Sequence, residues 1–556
     1  MQVAEIVVRI LEKEGISDAF GIPGASINPV FKYLKDSSIQ HHLMRHEEAA
    51  VHAADGYYRS SSRLALAICT SGPGATNFIT GLYTAKIDSI PLIAITGQAK
   101  SDQLGTDAFQ CVDITTMAKE VVKKAVCVLD PDSVVDQLRE ILYIAREGRP
   151  GPVLIDLPLD IQMMDVPFDP DSYESKKVER AMPNPEALHE ILNILQSAEN
   201  PIIIAGGGIV HSNAEEALVN FAETMQIPVI TTYMAKGCIC EDHYLNAGMV
   251  GIQVGASSSG NEIFLESDVV LGIGCRFTDR HTGALPVYKG SRTFLHIDID
   301  PKEIGKLIEV KVGVVSDAKA ALLALNDIAR KEGIRNSSSR IALIAQKKLQ
   351  ADLQGTFEGE VINPKDIFLK VNEIFADDVL YTTGCGLVQI WSGQYQKINK
   401  SRIYLPSGGA GTLGFDIPAA IGASVGMDRA KTVCMMGDFG FTFLVEELAV
   451  ASAYKVPIVV IILNNAYLSL IRQNQKYAYG YEHEVSMTEN QVGIDYCKIA
   501  VGFGCKAERV CSYAELDQAL ARAKESRQPY VLDILVDRQT DCNMGNDIAH
   551  IRKFDT

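Results

Sequence analysis

Long unalternated runs of apolar residues recur along the chain, each closed by glycine, proline, asparagine or aspartate and each separated from the next by a helical pattern. Short runs of this kind, bounded by turn residues, predict strands buried on both faces of a parallel sheet. The first unit, residues 1–165, opens with an amphipathic helix (Ala4, Ile6, Val7, Ile10, Leu11) and continues through Ala19-Phe20-Gly21 into a glycine turn. Further strands are predicted at Leu64–Thr70 and Pro91–Gly97, with a helix opening at Ser71–Asn77 and closure near Arg149–Pro158. Residues 166–185 are polar and carry proline, which predicts a linker. The second unit, 186–330, contains Pro201–Gly208, Asp268–Arg276 and Thr293–Asp300 as strand patterns, and a charged helical stretch bridges to the third unit, 360–540. There the runs Thr432–Met436 and Ile458–Leu463 end at Gly437-Asp438 and Asn464-Asn465. The predicted fold is α/β, with three doubly wound parallel-sheet domains. The first and third units share length and layout but no sequence repeat.

Composition narrows the classes. A chain of 556 residues, 47% hydrophobic, is too long for one core. No apolar run approaches the roughly 20 residues of a membrane span, and the N-terminus lacks the form of a signal peptide, so a cytoplasmic protein is expected. Twelve cysteines without a disulfide-framework spacing fit a reducing compartment, and the lone pair Cys238/Cys240 has no companion that would make a zinc site. A net charge of −17 argues against nucleic acid as a partner.

Strand ends in a parallel sheet share one edge, where ligands bind. Asp438 and Asn465 are thereby predicted to meet as two hard oxygen donors, a set suited to Mg²⁺. Two ordinary turns explain the same dipeptides. Glu47 falls between a strand ending at Met44 and a helical stretch, where a carboxylate also suits the helix dipole. Gly408–Gly414 reads as a glycine-rich turn, and Gly206-Gly207-Gly208 is by itself weak evidence of a nucleotide site.

The spacing of Gly437-Asp438 and Asn464-Asn465 resembles the signature of thiamine diphosphate (ThDP) enzymes, and Arg45-His46-Glu47 resembles their strand-end motif. The resemblance covers nearly the whole chain and points to the carboligase branch containing acetolactate synthase and glyoxylate carboligase. Ser71–Asn77, Ile95–Gln98, Gly105–Gln110 and Gly148–Pro152 are branch features, of which Gly105–Gln110 is closer to acetolactate synthase. Arg276–Gly283, Val314–Ala321, Phe443–Leu448, Asn464–Gln473 and Asn543–Gly545 look like glyoxylate carboligase. Asn474 stands where acetolactate synthases carry tryptophan, whereas Glu47 stands where glyoxylate carboligase carries valine.

The resemblance implies a pyrimidine-binding domain (1–165), a central FAD-binding-like domain (186–330) and a diphosphate-binding domain (360–540). It implies Mg²⁺ on Asp438, Asn465 and Tyr467. ThDP would be held by Ile22, Pro23, Gly24, Glu47, Thr70, Gly74 and Asn77 from the first domain. From the third it would be held by Gly411, Leu413, Gly437, Asp438, Phe439, Gly440, Asn465, Tyr467 and Leu468. Glu47 is the implied catalytic residue, bonded to N1′ of the aminopyrimidine, with Leu413 supporting the bent cofactor and the Gly411 carbonyl accepting its amino group. FAD, kept for structure, falls to Gly206, Gly207, Gly208, Arg276, Arg280, Asp298 and Asp317. The implied substrate pocket is Phe109, Gln110, Cys385, Leu468 and Arg472. The expected reaction is decarboxylating condensation of two 2-oxo acids, most simply two glyoxylates to tartronate semialdehyde and CO₂. Acetolactate synthesis from pyruvate, alone or with 2-oxobutyrate, is the alternative, and a flavin-dependent 2-oxo acid oxidase a third reading. A homodimer or homotetramer with sites at the subunit interface is expected.

Overall fold

The computed structural model describes residues 1–254, 259–337, 340–350, 357–488 and 493–552. The apolar runs become three parallel six-stranded sheets. The first contains β1 (Asp18–Gly21), β2 (Gln40–Leu43), β3 (Leu66–Cys69), β4 (Ile93–Gln98), β5 (Lys124–Cys127) and β6 (Val153–Pro158), in the order β2-β1-β3-β4-β6-β5. The central sheet contains β7 (Pro201–Ala205), β8 (Val229–Thr231), β9 (Asn246–Met249), β10 (Val269–Ile273), β11 (Thr293–Asp298) and β12 (Val312–Val315), in the order β12-β11-β10-β7-β8-β9. The third contains β13 (Leu380–Thr383), β14 (Tyr404–Pro406), β15 (Thr432–Gly437), β16 (Ile458–Asn464), β17 (Lys506–Val510) and β18 (Tyr530–Leu535), in the order β14-β13-β15-β16-β18-β17.

Numbered within each sheet, the first and third have the same strand order, which reverses direction between their first and third strands. The central sheet has the order of dinucleotide-binding folds, reversing between β7 and β10. Central strands follow from β-branched runs such as Ile202-Ile203-Ile204 and Val459-Val460-Ile461-Ile462, all fully buried. The edge strands β5 and β17 are partly exposed, and β12 alternates buried and exposed residues. Their apolar signal is correspondingly weak.

Two helices join the outer sheets. Glu47–Ser61, from the first, crosses Asp416–Gly426, from the third, at backbone contact. A Cβ on Gly56 would stand 2.1 Å from the Ala419 carbonyl oxygen, and one on Gly422 would stand 1.8 Å from that of Ala53. The small faces Ala49, Ala50, Ala53 and Ala419, Ala420, Ala423 extend the seam, so one core runs through both domains. The central domain keeps a core of its own. Among the described residues no helix is long and apolar enough to cross a membrane.

Candidate functional site

Strand ends supply the site in each outer domain. In the third sheet β15 stops at Gly437, and Asp438 begins a one-turn helix, Asp438–Phe441. β16 stops at Asn464, whose side-chain amide donates to Asp533 Oδ1 on β18 (2.8 Å) and fixes the strand end. The chain then turns through Ala466 in the left-handed region (φ 57°). Asn465 Oδ1 accepts the Tyr467 N–H (3.2 Å) and the Ser469 hydroxyl (2.8 Å), closing an Asx turn. Asp438 Oδ2 accepts the Ala466 N–H at 2.9 Å, so the two sequence-predicted turns are bonded to each other. Burial, with a smaller contribution from the Asp533 charge, pushes the Asp438 carboxyl up to about 7. A buried carboxylate whose charge is disfavoured in the free protein, beside an amide and backbone carbonyls, is a donor set that a hard divalent cation fits. Tyr467 lies between two guanidiniums, Arg472 at 5.2 Å and Arg538 at 4.6 Å from its ring; Arg538 also donates to the Asn465 carbonyl (3.2 Å).

Gly411, Leu413 and Cys385 border the same edge. Gly411 adopts φ 61°, and a Cβ there would lie 3.7 Å from Cys385 Sγ; a Cβ on Gly440 would lie 3.7 Å from Leu413. Phe439 packs on Phe443 at 5.5 Å. Burial, then Asp416, pushes the Cys385 thiol up, opposed by the Arg280 charge reaching across from the central domain.

The first sheet offers the corresponding edge between β1 and β3. Ile22 donates its N–H to the Ile68 carbonyl (3.1 Å), and Pro23 and Gly24 follow. A Cβ on Gly24 would sit 2.4 Å from Thr70 Cβ, so only glycine lets the two strand ends approach. Glu47 starts its helix behind His46, whose Nδ1 accepts the Glu48 N–H (3.1 Å) as N-cap. Glu47 Oε2 accepts from Asn77 Nδ2 at 2.9 Å. A Cβ on Gly74 would lie 3.3 Å from Glu47 Oε1 and 3.0 Å from Thr70 Cγ2, which keeps the approach to the carboxylate open. Glu48 pairs with His52 instead (3.3 Å). In the single chain Glu47 is half-buried.

Among the described residues no hydrogen bond or ion pair links Glu47 to Asp438 or Asn465. The helix Pro73–Ile87 carries Asn77 on Glu47, and about two turns further on, ~10 Å along its axis, the Thr84 hydroxyl meets that of Thr412 at 2.7 Å. Of the implied substrate residues, Phe109 is 87% exposed. Gln110 has φ 56° and packs on Gly72. Leu468 precedes the helix Ser469–Asn474 and donates its N–H to Val485 (2.8 Å). Arg472 is fully buried and committed to Asp541 and to Gln539 Oε1 (2.7 Å), so its guanidinium faces the C-terminal segment.

At the β7/β10 reversal a cavity of about 460 Å³ is lined by Gly206, Gly207, Gly208, Arg276, Arg280, Asp298 and Asp317. The glycine run is required by packing: Cβ atoms on Gly206 and Gly208 would fall 2.1 Å from the Gly274 oxygen and 2.6 Å from the Gly274 Cα. Asp317 caps the helix Ala318–Glu332 through the Ala320 N–H (3.0 Å) and also binds Arg180 and Ser212 (2.8 Å each). Burial pushes the Asp298 carboxyl up to about 6. Arg149, from the first domain, is pushed down by burial and then by the neighbouring Arg276 charge. An anion between these guanidiniums would relieve that repulsion. Arg149 lies inside the Gly148–Pro152 motif and was open to notice; Arg180, from the linker, carried no sequence signal. Among the described residues no group of three His, Cys, Asp or Glu side chains could hold a metal; Cys238 is buried, and the exposed Cys240 donates its thiol to Asn399 Oδ1 (3.4 Å).

Three family models match the chain in order: the N-terminal TPP binding domain (residues 1–117), the central domain (188–325) and the C-terminal TPP binding domain (384–534) of thiamine pyrophosphate enzymes. Glyoxylate carboligase of Escherichia coli O157:H7 is 40% identical over 572 residues, covering 100% of this chain and 96% of that protein. A probable acetolactate synthase large subunit of Methanocaldococcus jannaschii is 38% identical, covering 97% and 92%. The acetolactate synthase large subunit of Corynebacterium glutamicum is 35% identical, covering 96% and 86%. With three family models matched in chain order and relatives similar along its whole length, the chain belongs to the thiamine pyrophosphate enzymes, in the carboligase group that contains glyoxylate carboligase and acetolactate synthase.

Proposed function

We propose that the protein is a ThDP- and Mg²⁺-dependent decarboxylating carboligase that condenses two 2-oxo acids, with two glyoxylates giving tartronate semialdehyde and CO₂ as its reaction. The observation that carries this reading is the bond between Asp438 and the Asn465–Tyr467 turn, in a chain 40% identical to a glyoxylate carboligase along its whole length. When bound, ThDP supplies a carbon nucleophile and an electron sink for loss of CO₂. Asp438, Asn465 and the Tyr467 carbonyl would hold the Mg²⁺ for its diphosphate, and Leu413 and the Gly411 carbonyl would support its rings. Glu47, held by Asn77 and left accessible by Gly74, shares a proton with the ring nitrogen. A second chain completes each site, a reading supported by the lack of any hydrogen bond or ion pair between Glu47 and Asp438 or Asn465 among the described residues, and the enzyme is at least a dimer.

The central cavity would hold FAD as a structural group, with Arg149 and Arg276 available to its pyrophosphate and the Asp298 carboxyl to its ribose. Acetolactate synthesis is the second reading, favoured by the Gly105–Gln110 stretch and by the 38% identity to an acetolactate synthase subunit. Product assays with glyoxylate, pyruvate and 2-oxobutyrate, alone and in pairs, separate the two. Tartronate semialdehyde from glyoxylate alone is expected, and acetolactate as the sole product would replace the first reading by the second. Anaerobic bleaching of bound flavin by substrate would instead mark an oxidase.

A further inference from the structure

The helix that presents Glu47 is fixed along its body by the glycine seam, and its start is fixed differently. Arg45 and His46 leave β2, the edge strand of the first sheet, so no neighbouring strand receives their N–H groups. The third domain does so. The Tyr454 hydroxyl accepts the Leu43 N–H at 2.9 Å, and a single oxygen, Glu447 Oε1, accepts both the Arg45 N–H (3.0 Å) and the His46 N–H (2.9 Å) from a position about 400 residues away in sequence. Glu447 is 0% exposed, and its second oxygen, also buried, has no hydrogen-bond partner among the described residues. Burying a carboxyl with one oxygen unpaired is unfavourable for stability alone. What this side chain does accomplish is to fix two successive peptide groups immediately before Glu47. Burial pushes its carboxyl up to about 8, and an oxygen acceptor serves the two N–H groups in either protonation state.

We propose that Glu447 is a positioning residue for Glu47: by clamping the Arg45–His46 turn from the third domain, it sets the direction in which the first domain presents the Glu47 carboxylate. The proposal rests on the reading of Glu47 as the group that acts on ThDP. Three variants of the full chain test it. Glu447→Gln keeps the acceptor oxygen, Glu447→Asp withdraws it by one methylene, and Glu447→Ala removes it. Two quantities are read: amide hydrogen exchange of the 43–48 segment without cofactor, and C2–H exchange of ThDP bound to the protein. The Gln variant is expected to stay within about threefold of the parent in both. The Asp and Ala variants are expected to lose protection at Arg45 and His46 and to slow C2–H exchange at least tenfold, with ThDP affinity little changed. If the Ala variant does not fold, the Gln/Asp pair decides. Loss of protection with parental C2–H exchange overturns the proposal, as does a Gln variant as slow as Asp. Glu47→Gln, run alongside, separates the readings: unchanged C2–H exchange there removes Glu47 from the chemistry and this proposal with it, whereas a slow Glu47→Gln beside a normal Glu447→Asp defeats this proposal alone.

Discussion

The first and third domains repeat one strand order and place their candidate residues at the C-terminal ends of strands, but at different ones, β1 and β3 in the first and β15 and β16 in the third, and the two edges are built differently. In the third, the edge is closed on itself: Asp438 is bonded to the turn after β16, Asn465 to its own loop, and Asn464 to β18. In the first, Gly24 lets the ends of β1 and β3 approach, and Gly74 leaves room beside one half-buried carboxylate with a single amide partner. A site for a cation needs fixed oxygens and tolerates little change of geometry, whereas a site for a planar ring needs a slot and one acid–base group. A shared topology fixes where a ligand is met, and the turn residues decide what kind of ligand it is.

The sharpest break in this comparison is Asp438→Ala. It removes the central acceptor of the closed edge, and activity is expected to fall to background at limiting Mg²⁺ and ThDP. Circular dichroism should show the sheets intact, and full activity under those conditions would contradict the assignment of this edge. Next comes Glu47→Gln, expected to slow turnover by about 10²–10⁴-fold, the range of a well-placed acid–base group, while ThDP still binds in a calorimetric titration.

The seam that carries the open edge can be broken separately. Gly422→Val would place a Cβ 1.8 Å from the Ala53 carbonyl oxygen in the opposing helix. Overpacking against backbone is expected to destabilise by about 3 kcal/mol or more, visible as a lower denaturation midpoint for both outer domains together, with the central domain less affected. Unfolding confined to the first domain would contradict a shared core.

The smallest expected effect concerns pH. The Glu447 carboxyl titrates at about 8 when folded, above the usual 4.5, chiefly because of burial, with Glu446 adding to the rise and the Arg45 and His46 N–H groups and the Arg45 charge opposing it. The folded state therefore binds this proton more tightly than the unfolded chain. Its contribution to stability is greatest below about 4.5 and is lost as pH rises through about 8. Glu447→Gln has no such proton and is expected to flatten the decline by on the order of 1–3 kcal/mol, read as midpoints of thermal unfolding between acidic and alkaline buffers. An identical pH slope in both proteins would refute it.

Much of this was legible in the chain because strong local signals coincide with strand ends. Fully buried central strands are mostly apolar and many end at glycine, asparagine or aspartate, so Gly437-Asp438 and Asn464-Asn465 announced both the sheet and its edge. The residues that position these groups gave no such signal. Glu447 lies in the Phe443–Leu448 stretch and Arg149 in Gly148–Pro152, but neither stretch says what its side chain meets, and Asp533 lies in no motif; each acquires its role from a partner remote in sequence. Arg472 shows the same limit, since its place in a family motif says nothing of its buried bonds to Gln539 and Asp541, which lie 67 and 69 residues further along the chain.

By itself, then, the sequence determined the class of fold, the two strand-end turns and the identity of the groups at them, because these depend on hydrophobic runs and on backbone conformations that few residues adopt. Tertiary structure alone decided that the outer domains share one core through Gly56 and Gly422. It alone also decided that a third-domain carboxyl holds the turn before Glu47. Those facts rest on contacts between segments hundreds of residues apart, and no local pattern specifies which distant oxygen will meet a given N–H.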